Sequence, residues 1–208
     1  DYILRTAGTY SGPAAGEESR YANIGGVRHQ GLELSLRSDP ARPVSLDLAY
    51  TYLDARYTDY DGYNLIVWDP AAGRGGDYVI GETVDNTGNR VPRTPRHTAN
   101  MLLSYRPLPD LELTAEGVYE SDYYADEMNR VKIAGHELLH LRANYTHETA
   151  DGTVWKLFAR VENAFDRDYF NSARGYRDSD NDGDFDGEDL SIVVNPGRTW
   201  SAGLSVEL

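Results

Sequence analysis

The sequence predicts an all-β protein that forms an antiparallel transmembrane β-barrel, and three observations carry this prediction. Apolar and polar residues alternate along eight segments, as in strands whose two faces meet different surroundings. The connections between these segments are alternately short and long, which is typical of outer-membrane barrels. Tyrosine is enriched, with 16 Tyr against 4 Phe, and amphipathic rings collect where a membrane meets water.

The eight predicted strands hold apolar stretches of about nine to eleven residues, the length that crosses a bilayer when a strand is tilted. In chain order they run approximately from Tyr2 to Ala7, Tyr21 to Leu36, Val44 to Tyr57, His97 to Arg106, Leu111 to Tyr124, Glu137 to Thr146, Val154 to Phe165, and Trp200 to Leu208.

From the second strand onward, each strand has one apolar face and one polar face. In order, the apolar faces hold Leu32, Leu34 and Leu36; Leu46, Leu48 and Tyr50; Ala99, Met101 and Leu103; Leu113, Ala115 and Gly117; Leu139, Leu141 and Ala143; Trp155, Leu157 and Ala159; and Trp200, Ala202, Leu204, Val206 and Leu208. The opposite faces carry full charges in mid-strand, namely Glu112, Glu116, Arg142, Lys156 and Arg160. A polar barrel lumen accommodates such charges.

The connections place two membrane interfaces at opposite ends of these strands. The short connections are 39–42, 107–110 and 149–152, and the long ones are 8–20, 58–96, 121–135 and 166–197. Aromatic residues predict a girdle at each end: Tyr50, Tyr52, Tyr57, Tyr119, Tyr123 and Tyr124 near the long connections, and Tyr105, Tyr145 and Trp155 near the short ones. The long connections are therefore predicted to be extracellular.

Composition excludes several other classes of protein. The chain has 208 residues and a net charge of −14, which argues against nucleic-acid binding. The absence of Cys excludes disulfides and thiolate metal sites. No serine stands in a nucleophile-elbow motif, so we expect no enzymatic activity. Residues 1–4 resemble the middle of a strand and no signal peptide precedes them, so we expect a longer protein.

Four segments resemble motifs of TonB-dependent outer-membrane receptors, in that family's order and spacing. They are Tyr21-Ala22-Asn23-Ile24-Gly25-Gly26-Val27-Arg28-His29-Gln30-Gly31-Leu32-Glu33-Leu34, Val91-Pro92-Arg93-Thr94-Pro95-Arg96-His97-Thr98-Ala99-Asn100, Val161-Glu162-Asn163-Ala164-Phe165-Asp166-Arg167-Asp168-Tyr169, and Asn195-Pro196-Gly197-Arg198. The resemblance implies a barrel of roughly 22 strands plugged by an N-terminal domain. Residues 1–208 would then be its C-terminal portion, with about eight of the strands and without the plug.

The resemblance also implies a function and partners. It implies a receptor in the bacterial outer membrane for TonB-energised uptake of a ferric siderophore or a similar metal chelate. The chain would meet outer-membrane lipid, and it would meet the TonB system only through the absent plug. Two other classes stay open on the residues alone: a passive outer-membrane channel or adhesin-like barrel, and a soluble calcium-binding β-sandwich module.

The last long connection contains an acidic stretch, residues 178–189, that matches the twelve-residue calcium-loop template. The predicted Ca²⁺ ligands are Asp178, Asp180, Asp182, Asp184, Asp186 and Asp189. Gly183 permits the sharp turn at position six, and Asp189 takes the bidentate place usually held by Glu. The stretch resembles the calcium loops of dockerin and EF-hand repeats, and we expect a structural Ca²⁺ ion in the last extracellular loop. The alternative is a solvated acidic loop.

Other residues in the long connections are candidates for contact with a chelate. Aromatic rings can stack on a ligand, and arginines attract an anionic chelate. The candidates are Tyr60, Tyr63, Trp68, Tyr78, Arg130, Arg174 and Arg177. The alternative is that the rings pack the loop on itself and that the charges are solvated.

Overall fold

The computed structural model of the chain describes residues 3–10, 16–23, 25–175 and 177–208, and every regular element in them is a β-strand. The strands are β1 (Ile3–Tyr10), β2 (Gly16–Asn23), β3 (Gly26–Arg37), β4 (Val44–Asp59), β5 (Tyr63–Asp69), β6 (Asp77–Val84), β7 (His97–Leu108), β8 (Leu111–Glu120), β9 (Tyr123–Tyr124), β10 (Lys132–Ile133), β11 (His136–Glu148), β12 (Val154–Glu162), β13 (Phe170–Arg174), β14 (Ser191–Val194) and β15 (Thr199–Glu207). Among these residues, no helix is long and apolar enough to cross a bilayer.

Seven long strands form one antiparallel sheet in the order β3-β4-β7-β8-β11-β12-β15. Each strand pairs with the next long strand of the chain, so the sheet is a meander. The outer strands β3 and β15 each have one neighbour within the described residues. The fold is a section of barrel wall with two open edges, which confirms the predicted antiparallel partial barrel.

The register of the sheet aligns the apolar faces of all seven strands. Residues directly opposite each other on antiparallel neighbours lie on the same face. One such row consists of Leu46, Leu103, Ala115, Leu141, Val161 and Trp200. The adjacent row, on the other face, consists of Ser104, Thr114, Arg142, Arg160 and Ser201. The wall therefore has an apolar outer face and a polar inner face.

The apolar outer face remains exposed in the chain by itself. Trp200, for example, keeps 72% of its surface and Leu34 keeps 55%. A continuous apolar surface of this extent is unfavourable in water and suits contact with lipid chains.

Several of the predicted strands have other bounds in the structure, and the first, for example, extends to Tyr10 rather than Ala7. The predicted second strand, from about Tyr21 to Leu36, is divided into β2 and β3, because Gly25 has a φ of +45° (Ile24, like Tyr2, lies outside the described residues). The predicted fifth strand ends at Glu120 rather than Tyr124, and the seventh ends at Glu162, before Asn163 at a φ of +49°. A left-handed residue ends the ladder in two of these cases.

The long connections contain strands that the sequence analysis does not predict. Antiparallel pairs form between β5 and β6, β9 and β10, and β13 and β14. Most of the predicted first long connection, 8–20, is strand, because β1 pairs directly with β2. Two predicted girdle residues are also reassigned, because Tyr57 and Tyr123 are buried among residues of the long connections.

Gly31 gives a test of the wall. A Cβ atom there would lie 2.1 Å from the carbonyl oxygen of Tyr52 on β4, whereas a Cβ atom at Gly117 would meet only Met101, at 3.5 Å. We expect Gly31→Ala to lower the free energy of unfolding by about 2 kcal/mol, because backbone would have to move. Gly117→Ala is the matched control and should change it little. Urea titration of the protein in lipid vesicles measures both, and equal effects of the two substitutions would contradict this account.

Candidate functional site

The three long connections, 60–96, 121–135 and 163–198, pack on one another at one end of the wall, the end predicted to be extracellular, and we call them the loop layer. Its centre is a cluster of Leu65, Met128 and Phe185, which are 2%, 8% and 3% exposed. Each of these residues comes from a different connection. Burial of the three side chains should therefore hold the connections together by the hydrophobic effect.

Hydrogen bonds that involve the backbone join the connections at several places. The side-chain amide of Asn129 accepts a hydrogen bond from the Arg90 N–H (2.8 Å) and donates one to the Arg90 carbonyl (2.9 Å). Ile66 forms a parallel bridge with Arg177, and the Asp178 N–H donates to the Ile66 carbonyl at 3.0 Å. The acidic stretch is thus held against β5 by backbone pairing.

The acidic stretch folds as a compact turn around Asp178, which is fully buried. Its carboxylate accepts backbone hydrogen bonds from Trp68 (2.9 Å), Asn181 (2.7 Å) and Gly183 (2.9 Å). Burial raises the pKa of Asp178, but these donors and the Asp182 N–H outweigh it and lower the pKa, so the carboxylate is charged. Gly183 has a φ of +94°, as expected for the sharp turn at position six.

Three carboxylates of the acidic stretch converge. Oxygens of Asp178, Asp180 and Asp182 lie within 4.8 Å of one another, which is close enough for one Ca²⁺ ion with oxygens at about 2.4 Å to reach all three. Desolvation and the neighbouring carboxylates raise the pKa of Asp180. The residues are arranged so that a cation would relieve their repulsion.

The other predicted calcium ligands lie outside this group. Asp189 is 5% exposed, and its carboxylate accepts hydrogen bonds from the Ser179, Asp180 and Asp186 N–H groups, closing the stretch into a ring. The carboxylates of Asp184 and Asp186 accept from the backbone N–H groups of Phe185 and Glu188.

Three of the predicted chelate-contacting residues come together beside the acidic stretch. The rings of Trp68 and Tyr78 lie edge to face with centroids 5.2 Å apart, and the guanidinium carbon of Arg177 lies 4.8 Å from the centre of the Tyr78 ring. The Tyr78 hydroxyl donates to the Asn181 side chain at 2.8 Å. We call Trp68, Tyr78 and Arg177 the aromatic cluster.

The remaining candidates are placed apart from the aromatic cluster. Tyr60 is buried between Tyr57 and Tyr63, with ring centroids 4.7 and 5.9 Å away. Burial raises the pKa of Tyr63, and the nearby Glu127 adds to the rise. Arg130 is paired with Glu82, and Arg174 is exposed at the end of β13.

Asn129 and Asp126 are residues of the loop layer that the sequence analysis does not single out. Asp126 is fully buried and its carboxylate accepts hydrogen bonds from the Arg130 and Val131 N–H groups. Asn129 has a φ of +59°. The sequence signal is an Asp followed three residues later by an Asn, which favours a turn with a left-handed residue. That signal predicts the turn but not its contact with Arg90.

The wall and the loop layer together define a section of a transmembrane barrel whose long loops are packed on one another at one end. The family model described as "TonB dependent receptor-like, beta-barrel" matches residues 1–164. The chain belongs to this family, as the sequence motifs indicate. The family consists of outer-membrane receptors and transporters rather than enzymes, which agrees with the absence of a catalytic motif.

Two curated relatives resemble the chain at the sequence level. One is the "Probable TonB-dependent siderophore receptor PiuA" of Acinetobacter baumannii, with 26% identity over 161 residues, which are 76% of this chain and 19% of that protein. The other is the "Ferrichrome outer membrane transporter/phage receptor" of Escherichia coli K12, with 24% identity over 149 residues, which are 70% of this chain and 17% of that protein. The chain thus spans about a fifth of the length of these relatives.

Solved structures share the fold. The siderophore receptor PiuA from Acinetobacter baumannii matches with a TM-score of 0.63 and 20% identity, over 98% of this chain and 23% of that one. The ferric yersiniabactin uptake receptor FyuA from Yersinia pestis matches with a TM-score of 0.60 and 18% identity, over 89% of this chain and 24% of that one. At these identities the likeness concerns the barrel wall and its loops.

Phe185 tests the packing of the loop layer. We expect Phe185→Ala to lower the free energy of opening of residues 178–189 by about 3 kcal/mol, because a buried ring is replaced by a cavity. Hydrogen exchange of the backbone amides in 178–189 and in β5 measures this loss. Phe165→Ala is the matched control, because Phe165 is 61% exposed. Unchanged protection in Phe185→Ala would contradict the packing described above.

Proposed function

We propose that the protein carrying this chain is an outer-membrane receptor for TonB-energised uptake of a ferric siderophore or a similar metal chelate. Residues 1–208 form C-terminal strands of its barrel, and a plug domain outside this chain meets TonB. The observation that carries the proposal is a barrel wall that belongs to a receptor family and has its three long connections packed into a loop layer at one end. The names of the two relatives, a siderophore receptor and a ferrichrome transporter, support this substrate class.

The aromatic cluster is the part of the loop layer best suited to capture a chelate. Trp68 and Tyr78 are partly exposed and offer flat apolar surface beside the positive charge of Arg177. Siderophore complexes present apolar or aromatic surface together with oxygen-rich, often anionic groups, and such ligands suit rings beside a guanidinium. Tyr60 and Tyr63 lie in the loop layer apart from the cluster, and they are further candidates for contact with the chelate, as are Arg174 and Arg130, which is paired with Glu82.

Uptake of radioactive iron by iron-starved cells tests the function. Cells that express the protein should accumulate iron from one of ferrichrome, ferric citrate and a ferric catecholate, and a TonB deletion should abolish this uptake. Uptake that continues without TonB would indicate a passive channel and would contradict the proposal.

Trp68→Ala tests the aromatic cluster in the same assay. We expect the concentration of chelate that gives half-maximal uptake to rise about tenfold, because aromatic anchors dominate binding energy. Trp155→Ala is the control, because Trp155 lies on the outer face near the short connections. A cluster without contact to the chelate would give the same result in both variants.

We also propose that residues 178–189 bind one structural Ca²⁺ ion in the last extracellular loop. Asp178, Asp180 and Asp182 supply carboxylate oxygens, and their convergence within 4.8 Å supports this set. Asp184 contributes its backbone carbonyl, Asp186 binds directly or through water, and Asp189 completes the site after its carboxylate turns from the backbone donors toward the ion. The ion stabilises the loop layer because the acidic stretch is attached to β5.

Calorimetric titration with calcium chloride tests the calcium site. We expect Asp180→Asn combined with Asp182→Asn to weaken Ca²⁺ binding by about a hundredfold, since two charged ligands are lost. Both residues are exposed, so the fold should be kept. Asp184→Asn is the control within the same stretch, because position seven binds through its backbone. Equal affinities of the double variant and the control would refute the site.

A further inference from the structure

A basic pocket lies on the wall just beyond the girdle of Tyr50, Tyr52 and Tyr119. Its volume is about 480 Å³, and its lining includes the charged residues Arg56, Arg90, Arg96, Asp122 and Lys132 together with His97. The chain as a whole has a net charge of −14. The four cationic side chains around this pocket therefore make it positively charged in a protein that is negatively charged overall.

The pocket opens on the outer side of the wall, away from the lumen. Arg56 and Arg90 face each other across an antiparallel bridge. Their neighbours Ala55 and Val91 are buried together beneath the loop layer on the inner side. Since side chains alternate along a strand, Arg56 and Arg90 point outward. Tyr52, four residues before Arg56, lies on this same outer face.

His97 connects the pocket to the tyrosine girdle. The Tyr50 hydroxyl and His97 Nδ1 form a hydrogen bond of 2.8 Å, and the Tyr52 ring lies 5.2 Å from the His97 ring. Arg56 follows Tyr52 by four residues, a distance of about 13 Å along the strand. The girdle marks the edge of the apolar core of the bilayer, so the pocket lies at the depth of the lipid headgroups.

The carboxylates at the pocket neutralise only part of its positive charge. Asp54 pairs with Arg56 (3.1 Å) and Arg96 (3.2 Å), and Asp122 pairs with Lys132 (3.1 Å) and Arg90 (3.4 Å). Two carboxylates therefore face four cations. The geometry leaves an excess of two positive charges on the outer wall.

Two of the arginines are suited to receive an anion. Arg90 is held in place by its hydrogen bonds to the carbonyl oxygens of Thr94 (3.3 Å) and Asp122 (3.2 Å). Nε of Arg96 is buried and has no hydrogen-bond partner among the described residues. The side chains of Arg56, Arg96 and Lys132 are 34%, 35% and 56% exposed, so they can turn N–H groups toward the tetrahedral oxygens of a phosphate group, while Arg90 adds a fixed positive charge behind them.

We propose that the basic pocket binds the phosphate group of a phosphorylated lipid of the outer leaflet. The outward opening and the contact with the girdle select a lipid headgroup over an anion travelling through the lumen. The inference rests on the position of the pocket at the membrane and not on the proposed uptake of a chelate, so either can fail without the other.

Binding of lipid A, a doubly phosphorylated glycolipid, tests the proposal. The protein purified from its outer membrane is placed in neutral detergent micelles, and its affinity for lipid A is compared with that for dephosphorylated lipid A. Arg56→Gln combined with Lys132→Gln should weaken binding of lipid A about tenfold or more, with little effect on the dephosphorylated lipid. Arg37→Gln combined with Lys156→Gln is the control, because it removes the same charge from the inner face near the short connections.

A second variant keeps the charge of the pocket. Arg96→Lys removes the unpartnered Nε and the planar fork, and it should also weaken lipid A binding while the protein stays folded. Equal affinity of the native protein for the two lipids would overturn the proposal. Inorganic phosphate that displaces lipid A at equal concentration would assign the pocket to a soluble anion and would overturn it as well.

Discussion

The register of the seven-stranded sheet is the constraint on which the rest of the structure depends. Side chains alternate between the two faces, so a slip of one residue in any pairing would move charges such as Arg142 and Arg160 onto the lipid face. The observed pairings instead keep Leu103, Ala115 and Leu141 in one row. The hydrogen-bonded ladder satisfies the backbone polar groups, which a strand in a bilayer requires.

The same register sorts residues beyond the membrane, and β4 is the clearest example. Its lower part supplies Leu46 and Leu48 to the lipid face. Above the girdle, Ala55 and Tyr57 turn inward beneath the loop layer, while Arg56 turns outward to the basic pocket. Side chains of β4 thus contact the bilayer, pack beneath the loops and form a charged outer surface. The inward and outward alternation of its side chains is the same along its whole length.

The sequence predicts the wall well and the loop layer poorly, for a physical reason. Alternation over about ten residues records the two faces of a strand, so β4, β7, β11 and β15 are placed within a few residues. The acidic stretch is also visible, because a ligand template is local. By contrast, the burial of Tyr57 and Tyr60 depends on contacts with Val91 in a distant part of the chain. The pairing of Ile66 with Arg177 spans more than a hundred residues and leaves no local pattern.

The meeting of Leu65, Met128 and Phe185 has a consequence for how this surface can change over evolutionary time. Each connection buries its anchor against the other two, so opening of one exposes apolar surface on all three, and the three should open as a single cooperative unit. The exposed residues between these anchors are not constrained by this shared burial. Substitutions at the tips of the three loops can therefore accumulate independently, while a substitution at one anchor needs compensation in another loop.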